Sequence, residues 1–255
     1  RSTLFPYTTL FRSERCGRTV VITGANSGIG AITARELSRA GAHVIIACRN
    51  TTKGAEAASA MPGSVEVRSL DLADLASVRS FASGIASVDV LINNAGVMAL
   101  PLRRTADGFE MQIGTNHLGH FALTGLLLDK LHDRVVTVAS GAHRIGRINL
   151  NDLNCEHRRY QRWPAYGQSK LANLLFTYEL ARRLTAAGSP VRALAAHPGY
   201  ASTNLQSHTE SFQDHVMALG NRLLAQSAHM GALPTLYAAR SEEHTSELQS
   251  RTLIS

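Results

Sequence analysis

Tyr166 and Lys170 stand four residues apart in Tyr166-Gly-Gln-Ser-Lys170, at the start of a stretch that reads as helix over Tyr166–Ala187. Four residues is about one helical turn, so the phenol and the amine share one face. A phenol has an ordinary pKa near 10, and a neighbouring ammonium lowers it by roughly 1–3 units, toward the working range of a general acid/base. A second chemical signal is Gly24-Ala-Asn-Ser-Gly28-Ile-Gly30, between the apolar run Thr19–Thr23 and the helical stretch Ile29–Arg39. Glycines there let the backbone turn tightly and approach a pyrophosphate, which a helix N-terminus attracts through unpaired N–H groups and its partial positive charge. The spacing differs from GxGxxG. Each feature alone also has a plain reading, since YxxxK is common on helices and glycine closes turns for steric reasons.

The elements that must carry these residues alternate. Strands are predicted at Thr19–Thr23, His43–Ala47, Val65–Ser69, Val88–Ile92, Arg134–Ala139 and Val191–Ala196. Between them lie helical stretches at Ile29–Arg39, Lys53–Ala60, Asp74–Ala86, Thr105–Leu131 and Tyr166–Ala187, with Gly231–Ala239 after the last strand. Such alternation predicts right-handed βαβ units, and runs such as VVIT and VIIA without polar alternation predict parallel strands buried on both faces. The expected fold is α/β, one doubly wound domain. No repeat of solenoid period and no low-complexity linker divides it.

Six motifs follow one another at the predicted strand ends and on the helix: Thr23–Gly30 (TGANSGIG), Asp71-Leu72, Asn93-Asn94-Ala95-Gly96, Ser140, Tyr166 to Lys170, and His197-Pro198-Gly199. This succession resembles the short-chain dehydrogenase/reductase family from about Gly17 to Thr203. Cys48-Arg49-Asn50, the Asn116 to Phe121 segment and the long insert before Tyr166 resemble its retinol-dehydrogenase-like, NADP-using members. The resemblance implies a Rossmann fold and hydride transfer between a nicotinamide cofactor and an alcohol or carbonyl. It implies that Tyr166 is the general acid/base and that Lys170 also bonds the nicotinamide ribose. Ser140 would bond the substrate oxygen and polarise the carbonyl, and Asn116 would hold a water linking Lys170 to solvent. The family usually shows a Ser pair where this chain reads Ala139-Ser140, and Ser140 aligns with the second member.

For the cofactor, the resemblance implies contacts from Gly24, Ser27, Gly28, Ile29 and Gly30 in the glycine turn. Asp71 and Leu72 would flank the adenine, and Asn93 would lie beside the adenine ribose, with Ala95 and Gly96 following. Pro198 and Gly199 would be cofactor residues as well, and Thr203 would hold the nicotinamide carboxamide. The second strand ends in Ala47-Cys48-Arg49, without the acid that accepts from a ribose 2′-hydroxyl. Arg49 suits a 2′-phosphate instead, which favours NADP(H), its alternative being a solvated loop cation. A non-catalytic dinucleotide-binding or sensor module on the same fold is the competing function; the complete Ser140, Tyr166 and Lys170 set argues against it.

The 255 residues carry 26 Lys+Arg against 19 Asp+Glu, for a net charge of +7, with 44% hydrophobic and 18% charged residues. That balance excludes a disordered tail, a collagen-like repeat and a coiled coil. The basic residues are scattered and not interleaved with aromatics, so the footprint of a nucleic-acid binder is missing. Cys16, Cys48 and Cys155 form no CxxC, which supports neither a disulfide framework nor a zinc site. With no apolar run of membrane-spanning length and no secretory leader before the first strand, a cytoplasmic location is expected. His117 and His120 could share a metal, but no third ligand stands at suitable spacing, so no metal is expected. Arg158, Arg159 and Arg162 read as a solvated basic run. Val216, Met217, Leu219, Leu223 and Leu224 read equally as an amphipathic lid over the substrate and as ordinary core. The helices at Thr105–Leu131 and Tyr166–Ala187 resemble those through which the family forms dimers.

The two ends differ from this patterned middle. Thr3 to Ser13 and Arg240 to Ser250 have no periodicity and back-translate into sequences resembling the adaptor oligonucleotides ligated to DNA for short-read sequencing. Residues 1–13 and 240–255 are therefore expected to be non-native tails around a domain at 14–239. The final edge strand that the family normally adds is expected to be missing.

Overall fold

The central strands lack polar alternation because both of their faces are covered. The computed structural model describes residues 17–199 and 228–240. Its strands are β1 (Thr19–Thr23), β2 (His43–Cys48), β3 (Val65–Ser69), β4 (Val88–Asn93), β5 (Leu131–Val138) and β6 (Arg192–Ala196). They form one parallel sheet in the order β3-β2-β1-β4-β5-β6. Val21, Ile45, Leu91 and Val135 point to one face, against Val78 and Phe81 of α3 (Leu75–Ser83), Leu123 and Leu127 of α5 (Gly119–Leu127) and Leu184 of α6 (Arg162–Ala186). Val20, Ile22, Val44, Ile46 and Ile92 point the other way, against Ala34 and Leu37 of α1 (Gly28–Arg39) and Leu236 of α7 (Ala228–Arg240). A fully buried side chain of this size contributes about 1.5–3 kcal/mol. A one-residue slip would trade one apolar face for the other, so the strand ends are fixed by the turns that follow them rather than by polarity.

Those ends position the site. β1 lies between β2 and β4, so the chain must cross from β3 at one edge back to the middle, and the strand order reverses there. The turns leaving β1 and β4 diverge and open a crevice at the carboxyl edge of the sheet.

Some boundaries differ from expectation for local reasons. The helix predicted from Thr105 starts only with α4 (Met111–Ile113), because Asp107-Gly108 makes a turn with Gly108 at φ +86° and Thr105 N–H donates to the Phe109 carbonyl at 2.8 Å. The Glu110 carboxylate then accepts from Gln112 N–H and Ile113 N–H, both at 2.9 Å, and starts the helix. A π turn over Gly114–Leu118 joins α4 to α5, and Leu131 belongs to β5 rather than to the preceding helix. α6 begins four residues before Tyr166, since Pro164 falls in its first turn, where no N–H is required. α2 (Thr51–Ser59) starts at the Asn50 cap, whose Oδ1 accepts from Lys53 N–H at 2.9 Å. α7 extends past its expected bounds at both ends and includes Arg240. Among the described residues β6 is an edge strand.

Candidate active site

A cleft of 1260 Å³ lies in this crevice. At one end its wall is backbone. Gly24 and Gly28 take φ +66° and +56°, values that cost a side-chain-bearing residue energy. A Cβ at Gly30 would lie 2.5 Å from Asn94 Nδ2 and 2.8 Å from the Gly24 carbonyl oxygen. Ser27 starts α1 in extended conformation with no side-chain cap bond, so the orphan N–H groups of the first turn remain available to a ligand. Ser27 and Ile29 line the cleft beside the three glycines. Exposed Arg49 lines it past β2, and Asp71 and Leu72 line it past β3. One Asp71 oxygen accepts from Ala73 N–H at 2.9 Å. Open backbone, free helical N–H groups and a cation fit a dinucleotide with an anionic centre.

The other end is built from buried side chains. Ser140, just past β5, lies within hydrogen-bonding reach of the Tyr166 phenol, and its Oγ accepts from Ala142 N–H at 3.3 Å. Lys170 donates from Nζ to the Val138 carbonyl at 3.1 Å and lies over the Tyr166 ring, 5.8 Å from its centroid. Tyr166 and Lys170 are each 4% exposed and both line the cleft, as do Ser140, Ala95, Gly96, Pro198 and Gly199. Burial lowers the Lys170 ammonium to about 8. The expected lowering of the phenol is not found: burial pushes Tyr166 up, and the Ser140 bond opposes this only in part. Lys170 sits over the ring and is held by Val138, so its charge does not offset the lost hydration at the phenol oxygen.

Two asparagines lie behind the cleft wall rather than on it. Asn93 does not line the cleft; it is 1% exposed, and its Nδ2 donates to Thr124 Oγ1 at 3.0 Å toward α5. Strand alternation turns it inward, and Asn94, the next residue, lines the cleft instead. Asn116, in the π turn, is fully buried behind the wall. Its Oδ1 accepts from Val97 N–H at 2.7 Å, and its Nδ2 donates to the Val97 carbonyl and to Ser169 Oγ, each at 2.9 Å. The His120 ring lies 3.0 Å from the Asn116 carbonyl, so a water held by Asn116 would have only the second lone pair of that oxygen. Thr203 lies outside the described residues, as do the candidate lid residues Val216, Met217, Leu219, Leu223 and Leu224.

Several lining residues escaped sequence reasoning. Lys53, one turn past Arg49 at the start of α2, adds a second cation; its spacing from Arg49 was the available signal. Met98, Leu100, Met111 and Trp163 add an apolar lining to the cleft, with the Trp163 ring edge-on to the phenol ring of Tyr166 at 6.2 Å and 82°. His197, which opens the His197-Pro198-Gly199 motif, lies beside Gly141, and among the described residues its buried Nδ1 has no hydrogen-bond partner. His117 packs between Phe121 and Phe176, and among the described residues no group of three potential ligands could hold a metal. Cys48 and Cys155 are free and buried, and burial raises the Cys48 thiol. No helix among the described residues is long and apolar enough to cross a membrane.

Known proteins share this architecture. The family profile described as short chain dehydrogenase matches residues 18–214. Human retinol dehydrogenase 13 is 48% identical over 244 residues, covering 89% of this chain and 73% of its own length. A crystal structure of an uncharacterised protein from Mycobacterium Paratuberculosis is 64% identical with a TM-score of 0.77, covering 89% of this chain and 77% of that one. A short-chain dehydrogenase/reductase from Burkholderia phymatum in complex with NAD shares the fold at 21% identity and a TM-score of 0.72, covering 95% and 90% of the two chains. With a nicotinamide-dinucleotide fold, a matching family profile and relatives of this similarity, the chain belongs to the short-chain dehydrogenase/reductase family of oxidoreductases, in its retinol-dehydrogenase-like branch.

Proposed function

We propose that the chain transfers hydride between NADP(H) and an alcohol or carbonyl substrate. The observation that carries this reading is Ser140 beside the Tyr166 phenol with Lys170 over the same ring, in a cleft whose opposite end is the glycine turn. The bound nicotinamide supplies or accepts the hydride. Tyr166 gives its proton to the developing alkoxide during reduction and takes it back during oxidation. Ser140 donates to the substrate oxygen and fixes it against the phenol. Lys170, lying over the phenol ring, is placed to bond the nicotinamide ribose, the second role that the family resemblance gives it. Gly24, Ser27, Gly28, Ile29 and Gly30 receive the pyrophosphate, Asp71 and Leu72 border the adenine, and Ala95, Gly96, Pro198, Gly199 and Thr203 complete the nicotinamide side. Arg49, joined by Lys53, receives the 2′-phosphate and selects NADP(H) over NAD(H). The lining of Met98, Leu100, Met111 and Trp163 suits an apolar carbonyl compound.

The test is NADPH consumption on a panel of apolar and polar carbonyls, with NADH in parallel. NADPH-dependent turnover supports the reading; NADPH binding without turnover of any carbonyl would favour the sensor alternative. We further propose a cytoplasmic enzyme that pairs with a second copy through α5 and α6, where Phe121, Leu175 and Tyr178 are exposed; sedimentation reads its mass. The domain boundaries at 14 and 239, with foreign sequence outside them, stand as a proposal that an independently cloned genomic locus tests.

A further inference from the structure

His120 has no part in the chemistry above, yet it is 1% exposed and both ring nitrogens are engaged. Nε2 lies 2.9 Å from Thr23 Oγ1, and Nδ1 lies 3.0 Å from the Asn116 carbonyl oxygen. The proton positions follow by elimination. Thr23 Oγ1 accepts from the N–H groups of Asn94 and Ala95, each at 2.9 Å, and these take both of its lone pairs. Its one proton is therefore donated, and His120 Nε2 at 2.9 Å is the nearer acceptor than the Ile92 carbonyl at 3.4 Å. Nδ1 then carries the imidazole proton and donates it to Asn116. Burial is consistent with this neutral form, pulling the ring down to about 4.

These bonds close a ring around one wall of the cleft. Thr23 holds the N–H groups of Asn94 and Ala95, the Asn116 side chain holds the N–H and carbonyl of Val97, and His120 joins Thr23 to Asn116. The wall fits tightly on both sides. A Cβ at Gly24 would lie 2.9 Å from Ala95 Cα, while one at Gly96 would lie 3.3 Å from Asn116 Oδ1 and 3.7 Å from Lys170 Nζ. A small displacement of residues 94–97 therefore reaches the glycine turn and Lys170 together.

We propose that His120 is a positioning residue for the cofactor, closing the hydrogen-bonded ring that sets residues 94–97 between the glycine turn and Lys170. The inference rests on the NADP(H) reading. Without His120, Thr23 and Asn116 each still hold their own half of the wall, but only the peptide chain through Gly96 joins the halves.

The experiment compares wild type with His120→Phe, Thr23→Val, Thr23→Ser and the double variant His120→Phe/Thr23→Val. It records NADPH affinity by titration, the cofactor-free thermal midpoint, and KM for NADPH against kcat. His120→Phe is expected to weaken NADPH binding about tenfold, Thr23→Val to weaken it likewise, and Thr23→Ser to keep it. The double variant should be no weaker than Thr23→Val. The proposal is overturned if His120→Phe lowers the thermal midpoint but leaves NADPH affinity within about twofold of wild type, or if the two losses multiply. Should His120→Phe not fold, the pair His120→Leu and His120→Gln decides: loss of NADPH affinity with Leu and recovery with Gln, whose amide can accept from Thr23 and donate to Asn116, support the ring, and equal affinity of the two overturns it. Wild-type binding of NADPH is measured first, because its absence would overturn the dinucleotide reading itself, whereas binding in wild type puts only His120 at stake.

Discussion

The glycine end of the cleft and the Tyr166 end are built in different ways. At the first, the groups offered are backbone N–H atoms and the space left by missing side chains at Gly24, Gly28 and Gly30. At the second, they are side chains brought together from the ends of β5 and α6 and held by burial, with Tyr166 and Lys170 each 4% exposed. The glycine end is therefore local in sequence and sensitive to added volume. The Tyr166 end is long-range and sensitive to removed atoms. Substitutions at the two ends should accordingly fail in opposite ways.

A large contrast is expected from Ser140→Ala, which should lower kcat about 10²–10³-fold while leaving NADPH affinity unchanged, read by steady-state kinetics beside a binding titration. Gly30→Ala should do the reverse. Its added methyl meets the Gly24 carbonyl and Asn94 Nδ2, so it should destabilise the fold by about 1–3 kcal/mol and weaken NADPH binding, as denaturant melts and titrations would record. On the proposed NADP(H) reading, Arg49→Gln would remove a charge-assisted bond to the 2′-phosphate and should reduce the preference for NADPH over NADH by about 10- to 100-fold, measured as a ratio of kcat/KM values.

The smallest effect is a pH dependence. Burial lowers Lys170 to about 8 from 10.5, so between these values the unfolded chain binds more protons than the folded one. The Lys170 share of stability should then rise with pH through that window, while carbonyl reduction declines as the ammonium is lost. Melting curves and rates moving in the same direction would contradict this assignment.

The difference between the two ends also explains what could be read without coordinates. The strands were legible because β1, β2 and β4 are apolar at successive positions, and β1 and β3 have the expected bounds. The glycine turn was legible because its chemistry depends on backbone and needs only local order. Asn93 and Asn94 were not separable: adjacent residues at a strand end face opposite ways, and which one looks outward depends on the helix packed behind it, here through Thr124. The late start of α4 depended on the Asp107-Gly108 turn, a local signal that the long helical reading passed over. The raised phenol of Tyr166 was hidden for another reason. Spacing of four residues places Lys170 on the same face, but it reveals neither the Val138 carbonyl that holds the ammonium nor the extent of burial. The apolar lining of Met98, Leu100, Met111 and Trp163 comes from three separate segments, so no sequence window contains it.

The proposed function divides the cleft, with binding at one end and proton transfer at the other. Tyr166→Phe tests it most directly, because it removes one oxygen and leaves the glycine turn untouched. NADPH titration and NADPH oxidation with a carbonyl turned over by wild type should be measured on the same preparation. The account predicts unchanged NADPH affinity with kcat lowered by about 10²–10⁴-fold. Turnover by Tyr166→Phe at the wild-type rate would contradict it.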